Sequence, residues 1–281
     1  MNETFADLHI HSHYSDSDLS LKDILEETKK ASLKCIAITD HDTTEGLKEL
    51  DRLRPLYPDI EVIEGIELTA QKDNKEIHLL GYFIDKNSST LKDALKDIKE
   101  IRKERLIKMS LKLKSLGIDI DQEELFSSIN DAIPTRLHLA LYMTKKKYTP
   151  SIWDAFKQYL SYGKPAYVSR FRHSVKKAIR IIKESKGIVF LAHPHFLPSK
   201  DWIKEFADLG IDGIEVIYPK YTQQIITYFK NIADKYNLLK GGGSDSHGSF
   251  KEFTSIGQIK IPYTWVEAMK RHYSKLPLPT N

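Results

Sequence analysis

Hydrophobic positions along this 281-residue chain fall into two recurring patterns, apolar runs of strand length and longer segments with apolar residues at helical spacing. Phe5 to Ile10 is the first run. Leu21, Ile24, Leu25, Thr28 and Ala31 then recur at three- and four-residue intervals. Ser20-Leu21-Lys22-Asp23 has the form of an N-cap followed by a first-turn acid, which predicts a helix from about 21 to 33. Cys35 to Thr39 reads as a buried strand, and Leu47, Leu50 and Leu53 as a helix stopped near Pro55 and Pro58. Ile60 to Ile63 reads as a strand running into Gly65-Ile66-Glu67, and Ile77 to Tyr82 as another. Beyond residue 165 the alternation resumes with a helix around Val175 to Lys186, a strand from Ile188 to Ala192, and a helix around Trp202 to Leu209. The strand Ile214 to Ile217, a helix through Ile225, Phe229 and Ala233, and Leu238-Leu239 complete it.

Alternating strands and helices predict parallel βαβ units. His41, Glu67, His193, Asp245 and His247 each fall just past the C-terminal end of a predicted strand, the rim on which βα barrels build their sites, so a distorted barrel is preferred to a doubly wound sheet. The middle of the chain departs from the pattern. Leu91, Leu95, Ile98, Met109, Leu113 and Leu116 form one long helical stripe that Gly117 can end, followed by helical pieces around 121–129, 136–143 and 153–160. This gives a barrel domain over 1–87 and 165–281 and a small helical insertion over 88–164. At about 100° per residue Arg102 and Arg105 lie on the apolar stripe itself, so each either snorkels to solvent or addresses an anion held between insertion and barrel.

Charge sharpens the division. Residues 88–165 hold 15 Lys and Arg against 10 Asp and Glu, a surplus of +5, whereas the remainder holds 28 against 29, so the basic excess behind the net charge of +4 lies in this middle segment. A basic segment favours an anionic substrate or nucleic acid, although a solvated lysine-rich surface gives the same sum. Cys35, the one cysteine, sits in an apolar run and excludes an internal disulfide framework. With no membrane span and no secretory pattern at the N-terminus, the cytoplasm is the expected compartment.

The chemistry is concentrated in Asp7-Leu8-His9-Ile10-His11-Ser12. Histidines at i and i+2 leave a strand on the same side and can converge on one ion. Candidate ligands are His9, His11, Asp16, His41, Glu67, His78, His193, Asp245 and His247. Each alone reads more readily as a hydrogen-bonded structural residue, but gathered at one rim these imidazoles and carboxylates suit divalent cations better than a core. Nine ligands exceed one ion's needs, so two or three ions are expected, with Glu67 bridging. The mixed nitrogen and oxygen set favours Mn, Zn or Fe over Mg. Clustered divalent ions activate water and clamp phosphoryl oxygens, as phosphate-ester hydrolysis requires.

The motifs Asp7-Leu8-His9-Ile10-His11-Ser12, Thr39-Asp40-His41-Asp42, Gly65-Ile66-Glu67, Ile77-His78-Leu79-Leu80-Gly81-Tyr82, Ala192-His193-Pro194 and Ser244-Asp245-Ser246-His247 resemble, in order, those of the PHP (polymerase and histidinol phosphatase) superfamily. The resemblance implies a distorted (β/α)7 TIM-like barrel with a trinuclear site. It places His9, His11, Glu67 and Asp245 on one ion, Glu67, His78 and His193 on a second, and Asp16, His41 and His247 on a third. Asp7 and Asp40 would orient ligands. The insertion after the His78 strand and Gly163-Lys164-Pro165-Ala166-Tyr167-Val168 are similar to the branch that hydrolyses nucleoside 3′,5′-bisphosphates such as pAp, some members of which degrade short RNA from the 5′ end. Arg102 and Arg105 with Met109 are similar to its arginine-bearing helix. Thr135-Arg136-Leu137-His138 is similar to its Gly-Arg-Pro-His phosphate-contacting element, with Thr and Leu in place of Gly and Pro. The bland reading of that segment is a helix start.

The expectation is therefore a metal-dependent phosphohydrolase acting on a small anionic phosphate ester, a nucleotide 3′-phosphate foremost, with short RNA as a further substrate. Arg136 and His138 would grip the phosphate beside water activated at the metals. A histidinol-phosphate phosphatase gives the basic insertion no role, and a non-catalytic accessory module of a nucleic-acid enzyme gives the full ligand set none.

Overall fold

The computed structural model describes residues 3–169, 173–251 and 254–276. The barrel wall begins with β1 (Phe5–Ile10), whose Asp7 and His9 alternate with Ala6, Leu8 and Ile10, all buried. Helix α1 (Leu21–Lys30) starts at the Ser20–Asp23 capping box and buries Leu21, Ile24 and Leu25. Strand β2 (Cys35–Ile38) follows, then α2 (Gly46–Leu53) and a 3₁₀ turn at Arg54–Leu56 that takes in Pro55. Next come β3 (Glu61–Lys72) and β4 (Lys75–Tyr82). After the insertion the wall continues with β5 (His173–Ser174), α7 (Val175–Glu184), β6 (Ile188–Leu191), α8 (Asp201–Asp208), β7 (Gly213–Ile217), α9 (Gln223–Lys235) and β8 (Leu239–Gly242). Strand β9 (Ile261–Pro262) and α10 (Tyr263–Tyr273) end it.

The strands run in the order β8-β7-β6-β4-β3-β2-β1-β9, with β5 beside β3. Seven of them, β1 to β4 and β6 to β8, make an α/β barrel that is distorted in two respects. Strand β4 is antiparallel to both neighbours, whereas the alternation predicts parallel units. The reason is local: no helical segment separates Glu67 from Ile77, and the chain turns back through Asp73 and Asn74, both at positive φ, in a two-residue hairpin. Glu67 consequently lies inside β3 and not past a strand end. Closure between β8 and β1 is also partial, carried beyond the strands by a bridge between Ile10 and Ser246, with the His11 N–H donating to the Ser246 carbonyl at 3.0 Å. Gly243 makes this approach possible, because a Cβ there would lie 2.4 Å from the His9 backbone nitrogen.

The described residues fall into two compact units, 1–94 with 173–281, and 95–172. In the first, Ala6, Leu8, Ile63, Tyr82 and Phe190 pack with Val266 and Met269 of α10. The second is helical. It holds most of α3 (Ser89–Ser115), then α4 (Gln122–Ile129), α5 (Arg136–Lys145), the short α6 (Ile152–Ala155) and a π turn over Phe156–Leu160. Its core joins Leu106, Met109, Leu113, Leu125, Leu139, Met143 and Leu160. Leu116, placed on the apolar stripe by its spacing, is exposed in the turn just past the end of α3. No helix among the described residues is long and apolar enough to cross a membrane.

Candidate metal centre

Strand β1 aims His9 and His11 to the same side, and their Nε2 atoms are 3.1 Å apart. Glu67 Oε2 is 3.2 Å from each, and Asp245 Oδ1 is 3.4 Å from His9 Nε2 and 3.2 Å from His11 Nε2. These four residues are buried, and their donor atoms converge on one point. A second group comprises His11, Asp16, His41 and His247, with Asp16 oxygens 3.5 to 3.8 Å from the three imidazoles. The third is His41, Glu67 and His78, in which Glu67 Oε2 is 3.1 Å from His41 Nδ1 and Oε1 is 2.9 Å from His78 Nδ1. His193 Nε2 stands at its margin, 3.4 Å from Glu67 Oε1. The two oxygens of Glu67 thus face different donor groups.

Acidic side chains of β1 and of the loop after β2 hold this arrangement. Asp7 accepts the Ser244 N–H at 2.8 Å, anchoring the segment that carries Asp245. Asp40 accepts the Ser12 N–H at 2.7 Å and the hydroxyls of Ser12 and Ser15 at 2.6 Å, fixing the turn between His11 and Asp16. Asp42 accepts both the N–H and the hydroxyl of Thr69. Three non-glycine residues at the site, Asp42, His193 and Asp245, have positive φ, a conformation that the surrounding contacts must impose.

Burial and mutual charge divide the titratable groups. Burial works against the charged forms of His11 and His78. For His11 the adjacent carboxylates of Asp245 and Glu67 outweigh it, and its pKa rises to about 9. For His78 the charge of Glu67 beside Nδ1, together with Glu76 bonded at Nε2, raises it to about 10. Burial prevails at His41, lowered to about 3, and at His247, lowered to about 4. Glu67 and Asp245 stay well below the ordinary carboxylate range because the imidazoles around them overcome the cost of burial.

The donor set fits divalent metal on an independent count. Both oxygens of Glu67 and the Nδ1 atoms of His11, His41 and His78 are buried without a hydrogen-bond partner. A carboxylate buried with neither oxygen bonded is costly, and a cation coordinated by these lone pairs removes the cost. Above the centre opens a cleft of about 150 Å³ lined by His41, Glu67, His78, His193, Phe196, Tyr218, Asp245, His247 and Lys251.

The other sequence-predicted residues lie in the helical unit. Arg102 Nη1 donates to the Pro134 carbonyl, and Arg105 Nε donates to the Val168 carbonyl at 2.8 Å with its guanidinium over the Tyr167 ring. Arg136 donates to the Leu160 carbonyl and stacks on Phe156 and Tyr167. Thr135 is the N-cap of α5, and His138 returns to it, with Nδ1 3.2 Å from the Thr135 nitrogen. The helix start is therefore present, and the arginines gather around Tyr167. His13 and His195 are exposed, His173 is buried in β5, and His272 faces Asp212 at 3.2 Å.

Three groups escaped the sequence reading. Glu215 of β7 is fully buried, with Oε1 3.0 Å from His9 Nδ1 and Oε2 accepting the His193 N–H at 2.6 Å. Its one signal is a carboxylate in the apolar run Ile214-Glu215-Val216-Ile217. Tyr218 donates to Asp245 Oδ2 at 2.5 Å, and the Lys251 ammonium bonds the same oxygen. Neither carries a pattern in the chain.

The PHP domain matches residues 7–189. The 5′-3′ exoribonuclease Rnm of Salmonella typhimurium is 30% identical over 86% of this chain and 84% of its own length. The 3′,5′-nucleoside bisphosphate phosphatase of Chromobacterium violaceum is 29% identical over 90% and 91%, respectively. The phosphoribosyl 1,2-cyclic phosphate 1,2-diphosphodiesterase of Eggerthella lenta is 26% identical over 91% and 98%. With the domain match covering more than half its length and the donor groups converging at one end of a seven-stranded barrel, this chain belongs to the PHP domain family.

Proposed function

We propose that this protein is a cytoplasmic, metal-dependent phosphoester hydrolase that removes the 3′-phosphate of a nucleoside 3′,5′-bisphosphate such as pAp. The observation that carries the reading is Glu67, a buried carboxylate whose two oxygens face separate groups of imidazoles and which has no hydrogen-bond donor of its own. His9, His11, Glu67 and Asp245 would hold one ion, and Asp16, His41 and His247 another. Glu67 with His78 and His193 would hold a further one. Two to three ions of Mn, Zn or Fe match this donor set. When bound, they supply Lewis-acid charge for the phosphoryl oxygens and activate the attacking water.

The chain's own groups set the stage for that chemistry. Tyr218 and Lys251 hold Asp245 from the side away from the histidines, and Lys251 brings a positive charge to the wall of the cleft. Arg102, Arg105, Arg136 and His138 are the proposed phosphate-binding groups of the insertion, a substrate-capping element in this reading. Guanidinium forks match phosphate oxygens, and the stacking of Arg105 and Arg136 on Tyr167 preorganises them. The second reading, 5′-to-3′ hydrolysis of short RNA, is favoured by the exoribonuclease relative.

The deciding assay offers pAp, histidinol phosphate, a 5′-phosphorylated RNA oligomer and a ribose cyclic phosphate to the Mn-loaded protein, with metal content measured on the same sample. Preferential phosphate release from pAp is expected. Turnover of histidinol phosphate alone refutes the reading, and bound metal without turnover of any substrate favours an accessory module. Cell fractionation tests the compartment, and recovery outside the cytosol refutes that element.

A further inference from the structure

His9 reaches the centre through Nε2, which faces His11, Glu67 and Asp245 at 3.1 to 3.4 Å. A neutral imidazole offers a lone pair on one nitrogen only when the proton resides on the other. For His9 that other nitrogen is Nδ1, and the group facing it is Glu215 Oε1 at 3.0 Å. The second oxygen of Glu215 accepts the backbone N–H of His193 at 2.6 Å. His193 has φ of 31° and precedes Pro194, so its backbone occupies a costly conformation, and this bond fixes it. The rings of His9 and His193 stand 6.1 Å apart, stacked at 21°.

We propose that Glu215 is a positioning residue: it holds the proton of His9 on Nδ1 and pins the His193 backbone, so that ligands from β1 and from the turn after β6 are presented together. The role rests on the metal-dependent reading above. It needs a carboxylate, because two donors point at the group and only a carboxylate accepts on both oxygens. Glutamine has nearly the same volume but a single acceptor, so Glu215→Gln leaves either His9 Nδ1 or the His193 N–H facing an amide NH₂.

The experiment measures metal content and Mn and Zn affinity of the wild type and Glu215→Gln, with thermal melts to establish that the variant folds. The expected result is a cooperative melt with affinity about 10- to 100-fold weaker, the usual loss when an outer partner of a ligating histidine is removed. Equal affinity in both proteins overturns the role and leaves the metal reading intact, whereas a wild type that takes up no ion overturns both. Should the variant fail to fold, ¹⁵N NMR of the histidine rings in the metal-loaded wild type decides. A protonated Nδ1 on His9 supports the role, and coordination through Nδ1 overturns it.

Discussion

Asp42 accepts the Thr69 N–H at 2.8 Å and the Thr69 hydroxyl at 2.9 Å, joining the loop after β2 to β3 two residues beyond Glu67. Because His41 and Glu67 sit beside these two residues and share a β-bridge, the pair sets the spacing of two donors. Asp42→Ala should lower the melting temperature and weaken metal binding. It removes both acceptors and leaves alanine at positive φ, a conformation costing roughly 1–2 kcal/mol. Calorimetry and metal titration on one preparation check this, and unchanged metal affinity would show that the bond serves the fold alone.

Glu67→Gln should abolish phosphate release and reduce metal occupancy, with a loss greater than the roughly 10- to 100-fold typical of an outer partner. An uncharged amide with one acceptor cannot serve two donor groups at once. A variant with full occupancy and full turnover would sink the bridging role.

Metal loading should release protons, and apparent affinity should rise with pH. In the metal-free protein the pKa values of His11 and His78 are raised to about 9 and about 10, so at neutral pH both rings carry a proton that a metal must displace. The sign follows directly: below these values protons compete with the ion, and above them they do not. Titration calorimetry in buffers of different ionisation enthalpy counts the protons, and a pH-independent affinity below the His11 value contradicts the prediction.

Gly243→Ala should destabilise the barrel by about 1–3 kcal/mol or more, the range for forcing an atom into a filled space. The added Cβ would meet the His9 backbone nitrogen at 2.4 Å and the His9 Cβ at 2.6 Å, and neither can move without displacing β1. Denaturant melts of the wild type and the variant provide the comparison, and coincident curves would contradict it.

Most of the barrel strands were legible as apolar runs set between segments of helical periodicity, and the donor residues because histidines and acids stand in those runs or just past them. Strand direction was not legible. A period of two is the same for parallel and antiparallel pairing, so Ile77 to Tyr82 read as a strand without revealing that the Asp73-Asn74 turn reverses it. Glu215 escaped because one carboxylate in a strand has the same pattern whether it faces water or the back of an imidazole. Tyr218 and Lys251 meet Asp245 only through tertiary folding, across 27 and 6 residues of chain respectively. Arg102 and Arg105 were found by their place on an apolar face, but spacing could not reveal that backbone carbonyls would receive them.

The helical unit encloses Leu106, Met109, Leu125 and Leu139 in an interior of its own, while every donor atom of the centre is carried by the barrel chain. The metal-type donors and the apolar interior of the 95–172 segment are thus encoded in separate stretches of the chain, so a defect in one is to be told from a defect in the other by measuring metal content and melting on the same sample.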